Sequence, residues 1–187
     1  MSYNVHNDPE KRRMDWQTPR DLFDFLDQDC NFNFVIDCAA DRHNALCGLY
    51  FDKTANFLEQ DLSDSDHWCW CNPPYLEGRS GAVKAEKILW MQKLMSVPKI
   101  VCLIPSAIGA DWFQVIWDHA DAICFLRKRL KFIDPELGER SSAQFDCCLA
   151  IRGFNGPYFN RLVEIGNTVF LRDPGDPKLR LFAPYNG

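Results

Sequence analysis

The chain has 187 residues, 47% of them hydrophobic and 25% charged, and a formal charge of −5. That balance excludes a disordered or collagen-like chain and suits one domain with a full core. No apolar run approaches the roughly 20 residues of a membrane helix, so no membrane partner is expected. The acidic excess restricts nucleic-acid binding to a local basic face.

Residues 1–14 are polar and charged and lack the apolar core of a signal peptide. They read as a flexible lead-in to a single domain over 15–187, and the protein is expected in the cytoplasm. Asp15-Trp16-Gln17-Thr18-Pro19 opens the informative part. Thr18 can cap a helix with Pro19 in its first turn. Leu22, Phe23, Phe25 and Leu26 then give an apolar helical face.

Residues 32–36 read as an apolar strand ending in Asp37, followed by the loop Cys38-Ala39-Ala40-Asp41 and a helix-compatible piece. Strand, acid, small-residue loop and helix open a nucleotide-binding α/β unit. Small residues such as Ala39 let the backbone come close to a ligand. The usual G-x-G is missing and alanines stand in its place. A helix cap is the other role open to Asp37. Residues 49–51 read as the second strand, with Asp52 at its end to hold ribose hydroxyls. The span from Asp37 is shorter than the usual ~20 residues, and Glu59 or Asn56 are alternatives. Asp61 sits in an acidic stretch with Asp64 and Asp66, where a solvated turn is the other reading.

Trp68-Cys69-Trp70-Cys71 is a buried strand that runs straight into Asn72-Pro73-Pro74-Tyr75. Two prolines remove two backbone donors and fix two φ angles, and the first pushes Asn72 out of helical geometry. The Asn72 carboxamide and the Pro73 carbonyl are thereby held at a strand's C-terminal end, where open α/β sheets bind ligands. Two such acceptors suit an exocyclic amine. Aimed at its two hydrogens, they draw the nitrogen toward a more nucleophilic form. Tyr75 offers a flat face to a base, worth roughly 1–3 kcal/mol when stacked.

The glycines of residues 76–81 make a loop beside this turn, in which Arg79 can meet a phosphate or simply belong to a connector. Residues 82–95 read as an amphipathic helix, 99–104 as a buried strand, the stretch around 112–117 as a helix and 122–126 as a strand. Such alternation implies a mostly parallel sheet covered by helices on both faces. Arg127, Lys128, Arg129 and Lys131 form the chain's best basic patch. They lead into a strand whose hairpin partner is expected at 145–151, with a polar loop over 134–143 between them. A charged, solvated strand edge explains the patch as well. Residues 158–165 suggest a short helix and 169–172 a strand. The nine cysteines are scattered, without a C-x-x-C pair, and read as reduced core residues rather than metal ligands.

Asn-Pro-Pro-Tyr is the motif of S-adenosylmethionine-dependent amino-methyltransferases. The chain resembles the phage-type DNA adenine-N6 methyltransferases of the Dam kind. The resemblance rests on Asp15 to Pro19, Asp37 to Ala40, Trp70 to Tyr75, Ala110-Asp111-Trp112-Phe113 and Arg129-Leu130-Lys131-Phe132, spanning about 15–151. It implies a Rossmann-like fold with a seven-stranded sheet and an antiparallel hairpin at its C-terminal end. It implies methyl transfer from S-adenosylmethionine to the N6 amine of a flipped-out adenine in duplex DNA, with S-adenosylhomocysteine as product. Asn72, Pro73, Pro74 and Tyr75 become the catalytic turn. Trp16, Thr18, Pro19, Asp37, Ala39, Asp52 and Asp61 become the cofactor side. Arg79, Arg127, Lys128, Arg129 and Lys131 become DNA contacts, with no metal. By family habit the target is a short palindrome such as GATC. The setting expected is a bacterial cell, with a phage as one source of the gene, and the oligomeric state stays open, with a monomer favoured over larger assemblies. Related enzymes place the same tetrapeptide on RNA bases or protein glutamine, and a non-catalytic cofactor- or DNA-binding module is the remaining alternative.

Overall fold

A computed structural model describes residues 16–75, 80–135, 138, 140–143, 145–153 and 160–172. Within it, a seven-stranded sheet has the order β2-β1-β3-β4-β8-β5-β9. The strands are β1 (Ile36–Asp37), β2 (Leu49–Tyr50), β3 (Cys69–Cys71), β4 (Ile100–Pro105), β5 (Ala122–Leu126), β8 (Cys147–Arg152) and β9 (Gly166–Phe170). A separate ribbon pairs β6 (Lys131–Ile133) with β7 (Arg140–Ser142). The helices are α1 (Arg20–Asp24), α2 (Gly81–Leu94) and α3 (Asp111–His119).

The sheet is parallel from β2 to β4 and antiparallel from β4 to β9. The expected hairpin partner of the basic strand is therefore corrected. Residues 147–152 do not pair with β6. They insert between β4 and β5, reversing direction against both. The reason is burial. Cys147 to Ile151 are all buried, so this strand belongs in the middle of a sheet, whereas Lys131 is exposed and its strand belongs at the rim.

Strand residues alternate between two cores, as a period of two demands. Cys69, Cys71, Ile100, Cys102, Ile104, Cys148 and Ala150 face α2 and α3 through Met91, Leu94, Phe113 and Ile116. Trp70, Val101, Leu103, Cys124, Leu149 and Ile151 face α1 and the ribbon through Phe23, Leu26 and Phe132. Helices thus cover both faces. Ser80 starts α2 by accepting the Val83 N–H at 3.3 Å. Eight of the nine cysteines are buried and all are free thiols. Burial pushes the thiols of Cys30, Cys147 and Cys148 up to about 12, so they are inert apolar packing. Among the described residues, no group of His, Cys, Asp or Glu is arranged to hold a metal, and no helix is long and apolar enough to cross a membrane.

Three local expectations are corrected. The first strand is Ile36–Asp37 rather than 32–36, and Asp37 lies inside it. Asn31 and Asn33 have φ of 62° and 53°, a left-handed geometry that asparagine tolerates and that interrupts an extended run. The N–H groups of Asn33 and Phe34 turn back to Asp27. The piece after Asp41 is no helix. The Asp41 carboxylate takes the His43 N–H at 2.7 Å and closes a turn instead. Thr18 does not cap α1. The cap is Pro19, whose carbonyl accepts from Leu22 and Phe23 at 3.1 and 3.2 Å. Gln17 exchanges two backbone hydrogen bonds with Ile133, at 3.1 and 3.0 Å, which holds the chain before α1 extended. Residues 158–159 of the expected late helix lie outside the described residues. Its described part is a 3₁₀ turn, Leu162–Glu164, and the last strand begins earlier than expected, at Gly166.

Candidate active site

The parallel strands β1, β2 and β3 point the same way and their ends are in register. Asp37 lies opposite both Tyr50 and Trp70. Asp37, Asp52 and Asn72 therefore sit at one edge of the sheet, the C-terminal edge where α/β folds bind ligands.

Asn72 leaves β3 directly. Its carboxamide Nδ2 donates to the Trp16 carbonyl at 2.7 Å. Its Oδ1 is buried and accepts no hydrogen bond among the described residues. The orientation follows from chemistry: a carbonyl accepts only, so the NH2 must face Trp16 and the oxygen must face away. A buried acceptor left unpaired costs about 1–3 kcal/mol. Such a cost marks a group that is kept for a ligand. Pro73 is buried behind it, and among the described residues none donates to the Pro73 carbonyl. Two neutral acceptors on neighbouring residues thus have no donor among the described residues.

Tyr75 is more enclosed than a base-stacking ring was expected to be, at 9% exposure. Its hydroxyl donates to the Leu103 carbonyl at 3.4 Å, and burial pushes its pKa well up. Its ring meets Phe132 edge-on at 5.6 Å and Phe145 at 5.3 Å. Phe132 also lies 6.3 Å from the Trp16 ring. The sequence reading left Phe145 and the Trp16 carbonyl out of the site. Phe145 was assigned to a paired strand, and a backbone carbonyl leaves no trace in side-chain pattern.

At the end of β1, Asp37 is 3% exposed. Its carboxylate accepts from the Ala39 N–H at 3.3 Å and the Leu46 N–H at 3.1 Å. Burial nevertheless dominates and pushes its pKa up from 3.8 to about 6. The carboxylate thus pins the chain after β1 at Ala39 and Leu46, and among the described residues no cation pairs with it. Thr18 and Pro19 are buried beside the extended segment, and Trp16 is half-buried. Asp52 is half-buried and closes its own turn through the N–H groups of Thr54 and Ala55, at 2.9 and 2.8 Å. Asp61 is exposed, and hydrogen bonds from the backbone and hydroxyl of Ser63 hold its carboxyl below the usual range. Of the two alternatives to Asp52, Asn56 donates to Glu59 at 2.6 Å.

Arg127, Lys128, Arg129 and Lys131 are all exposed, the first three between β5 and β6 and Lys131 opening β6. Arg129 pairs with Asp146 at 3.3 Å and Arg127 donates to Asn167 at 3.3 Å. Among the described residues, no ion pair involves Lys128 or Lys131. Arg140, which the sequence reading left unassigned, ties β7 to α1 by pairing with Asp21 at 2.8 Å and holds that carboxyl below its usual range. Arg79 lies outside the described residues.

The family model described as DNA N-6-adenine-methyltransferase (Dam) matches residues 6–168. The chain belongs to this family. The reaction of the Dam family is methylation of the adenine N6 amine in DNA, with S-adenosylmethionine as methyl donor. A DNA N-6-adenine-methyltransferase of Haemophilus phage HP1 is 27% identical over 127 residues, covering 67% of this chain and 70% of its own. One of Escherichia phage T1 is 26% identical over 127 residues, covering 64% of this chain and 50% of its own. Dam membership separates the chain from the enzymes that place the same tetrapeptide on RNA or protein glutamine. The expected recognition as a phage-type adenine methyltransferase is met.

Proposed function

We propose that the fold is a Rossmann-like methyltransferase domain and that Asn72 and Pro73 together receive the two N6 hydrogens of an adenine flipped out of duplex DNA. The observation that carries this is the buried Asn72 Oδ1, which has no donor among the described residues, followed in the chain by a Pro73 carbonyl that accepts from none of them. An amine lone pair delocalised into the base ring is a poor nucleophile. Holding both N–H bonds toward acceptors on one side localises that pair on the other. Both acceptors are neutral, so neither keeps the proton that the methylated nitrogen sheds. The two prolines hold the acceptors in place before substrate arrives, which removes reorganisation from the barrier. Tyr75 would clamp the base, giving up part of its contact with Phe132 or Phe145 to do so.

S-adenosylmethionine, when bound, supplies an electrophilic sulfonium methyl and leaves as S-adenosylhomocysteine. The residues present fit it. Asp37 is a buried carboxylate with no cationic partner among the described residues, at the edge where the amine acceptors stand, and the cofactor carries an ammonium group. Trp16, Thr18, Pro19 and Ala39 would line this side, with Asp52 and Asp61 on the turns that follow β2. Binding the ammonium favours the charged form of Asp37, so affinity for S-adenosylhomocysteine rises with pH through about 6. Titration calorimetry should show this tightening and proton release on binding near that pH. Asp37→Asn should flatten the profile. In the free protein the sign is opposite: a raised carboxyl favours folding below its unfolded value near 4, and that contribution is lost as pH rises through about 6.

The basic patch would contact phosphates. Each lysine that does so contributes about 0.9 to the slope of log affinity against log salt. Lys128→Ala with Lys131→Ala should therefore lower the slope by roughly 2 and weaken all duplexes alike. An unchanged slope would remove the patch from the interface.

The direct test is transfer of tritiated methyl from S-adenosylmethionine to unmethylated duplex DNA, followed by digestion. Label recovered as N6-methyladenine supports the reading, and mapping the labelled sites tests a GATC-like palindrome. Label found only in RNA or protein would overturn it.

A further inference from the structure

A lone carboxamide in a turn can present either its oxygen or its NH2 to a substrate, and only the oxygen serves an amine. We propose that the Trp16–Gln17 segment is the positioning element that decides this for Asn72, an inference that rests on the role proposed for Asn72 above. The Trp16 carbonyl is an obligate acceptor, 2.7 Å from Asn72 Nδ2. It fixes the amide's flip and turns Oδ1, buried and unpartnered, the other way. Donation from Nδ2 also polarises the amide and makes its oxygen a better acceptor.

The carbonyl can do this only if it is itself held. On one side Gln17 is clipped to Ile133 of β6 by two backbone hydrogen bonds, at 3.1 and 3.0 Å. The Trp16 ring lies against Phe132, the residue before Ile133 in the same strand, at 6.3 Å. On the other side Thr18 is 6% exposed and the Pro19 carbonyl starts α1. The segment is therefore a short extended strap held just after the Trp16 carbonyl, by Gln17 against β6 and by Thr18 and Pro19 at the start of α1, with the Asn72 amide hung from its leading end. It joins the ribbon, which starts with the exposed Lys131, to the amine acceptors through one residue of chain.

Gln17→Pro removes the N–H given to Ile133, and Ile133→Pro removes the reciprocal donor. Each should lower kcat about tenfold or more, since small misplacements at a reacting centre cost that much. The KM for duplex DNA and the affinity for S-adenosylhomocysteine should stay within about twofold. A merely structural strap would instead raise KM and weaken cofactor binding along with kcat. In an Asn72→Ala background the proline variants should cause no further loss, because the strap would act through the missing amide. Folded proline variants with wild-type kcat would overturn the strap while leaving the role of Asn72 intact. Near-normal turnover by Asn72→Ala alone would overturn the role of Asn72 first. If neither proline variant folds, the wild-type protein still decides. The Asn72 side-chain amide, assigned by its disappearance in Asn72→Asp, should show slowly exchanging protons. Fast exchange there would overturn the strap.

Discussion

Asn72→Ala lowers kcat for DNA methylation by roughly 100-fold or more, while S-adenosylhomocysteine binds within about twofold of wild type. The expectation comes from what the side chain does and does not touch. Its one described hydrogen bond goes to the Trp16 carbonyl, and losing it costs the fold about 1 kcal/mol. That is a minor share of a stability of about 5–15 kcal/mol. Its oxygen, buried and without a donor among the described residues, adds no stability to the free protein and carries a desolvation cost of about 1–3 kcal/mol. All of that oxygen's value is therefore realised with substrate, and a preorganised acceptor at a reacting nitrogen is worth about 3–4 kcal/mol by analogy with oxyanion-hole donors. The Pro73 carbonyl survives the substitution and accounts for residual turnover. Single-turnover kinetics on unmethylated duplex DNA, with calorimetry for the cofactor product, separates the two effects. Turnover within about threefold of wild type would remove Asn72 from the chemistry.

Trp70→Ala destabilises the protein by about 3–5 kcal/mol. Trp70 is wholly buried in the middle strand of the parallel half. Phe23 of α1 meets its ring edge-on at 5.7 Å and Phe34 at 5.7 Å. Removing the indole opens a cavity under α1, and the ring contacts with Phe32 and Phe34 on that face lose their backing. The Trp70 carbonyl still accepts the Cys38 N–H at 2.8 Å in the variant, so strand pairing persists and the loss is packing. Urea unfolding would show a lower midpoint at unchanged slope. Because Trp70 stands two residues before Asn72, activity should fall with the folded fraction, and added S-adenosylhomocysteine should restore folding by mass action. A shift below about 1 kcal/mol would mean that α1 collapses into the space without cost.

The Asn72–Tyr75 turn was legible because proline acts locally. Two consecutive prolines after an aromatic strand fix where the chain must stop pairing, whatever surrounds it. The strand at Ala122–Leu126 was legible for the same reason, since a short apolar run is a local signal, and the helix expected at 82–95 stands within one residue of that, at Gly81–Leu94. What the sequence hid was partner choice. Residues 147–152 read as one half of a hairpin, yet they pair with β4 and β5, far away in the chain. Only full burial on both faces separates the two outcomes, and burial is a property of the assembled sheet. The Trp16 carbonyl was hidden more completely: the resemblance puts Trp16 on the cofactor side, but its backbone oxygen holds the amide 56 residues away. Tyr75 was read as a ready platform because aromatic residues beside such a turn can stack. Its enclosure depends on Phe132 and Phe145 converging from separate segments.

The two halves of the sheet differ in length as well as in direction. β4 and β8 pair over six residues each, whereas β1 and β2 have two residues each, and β2 is exposed at the outer edge. Few backbone bonds resist opening on that flank, so the molecule has a firm hinge side and a compliant margin. Asp37 and the loop it pins belong to the compliant margin. Ligand occupancy there would act like a clasp on a garment's free hem, drawing the loose border taut against a panel that is already stitched.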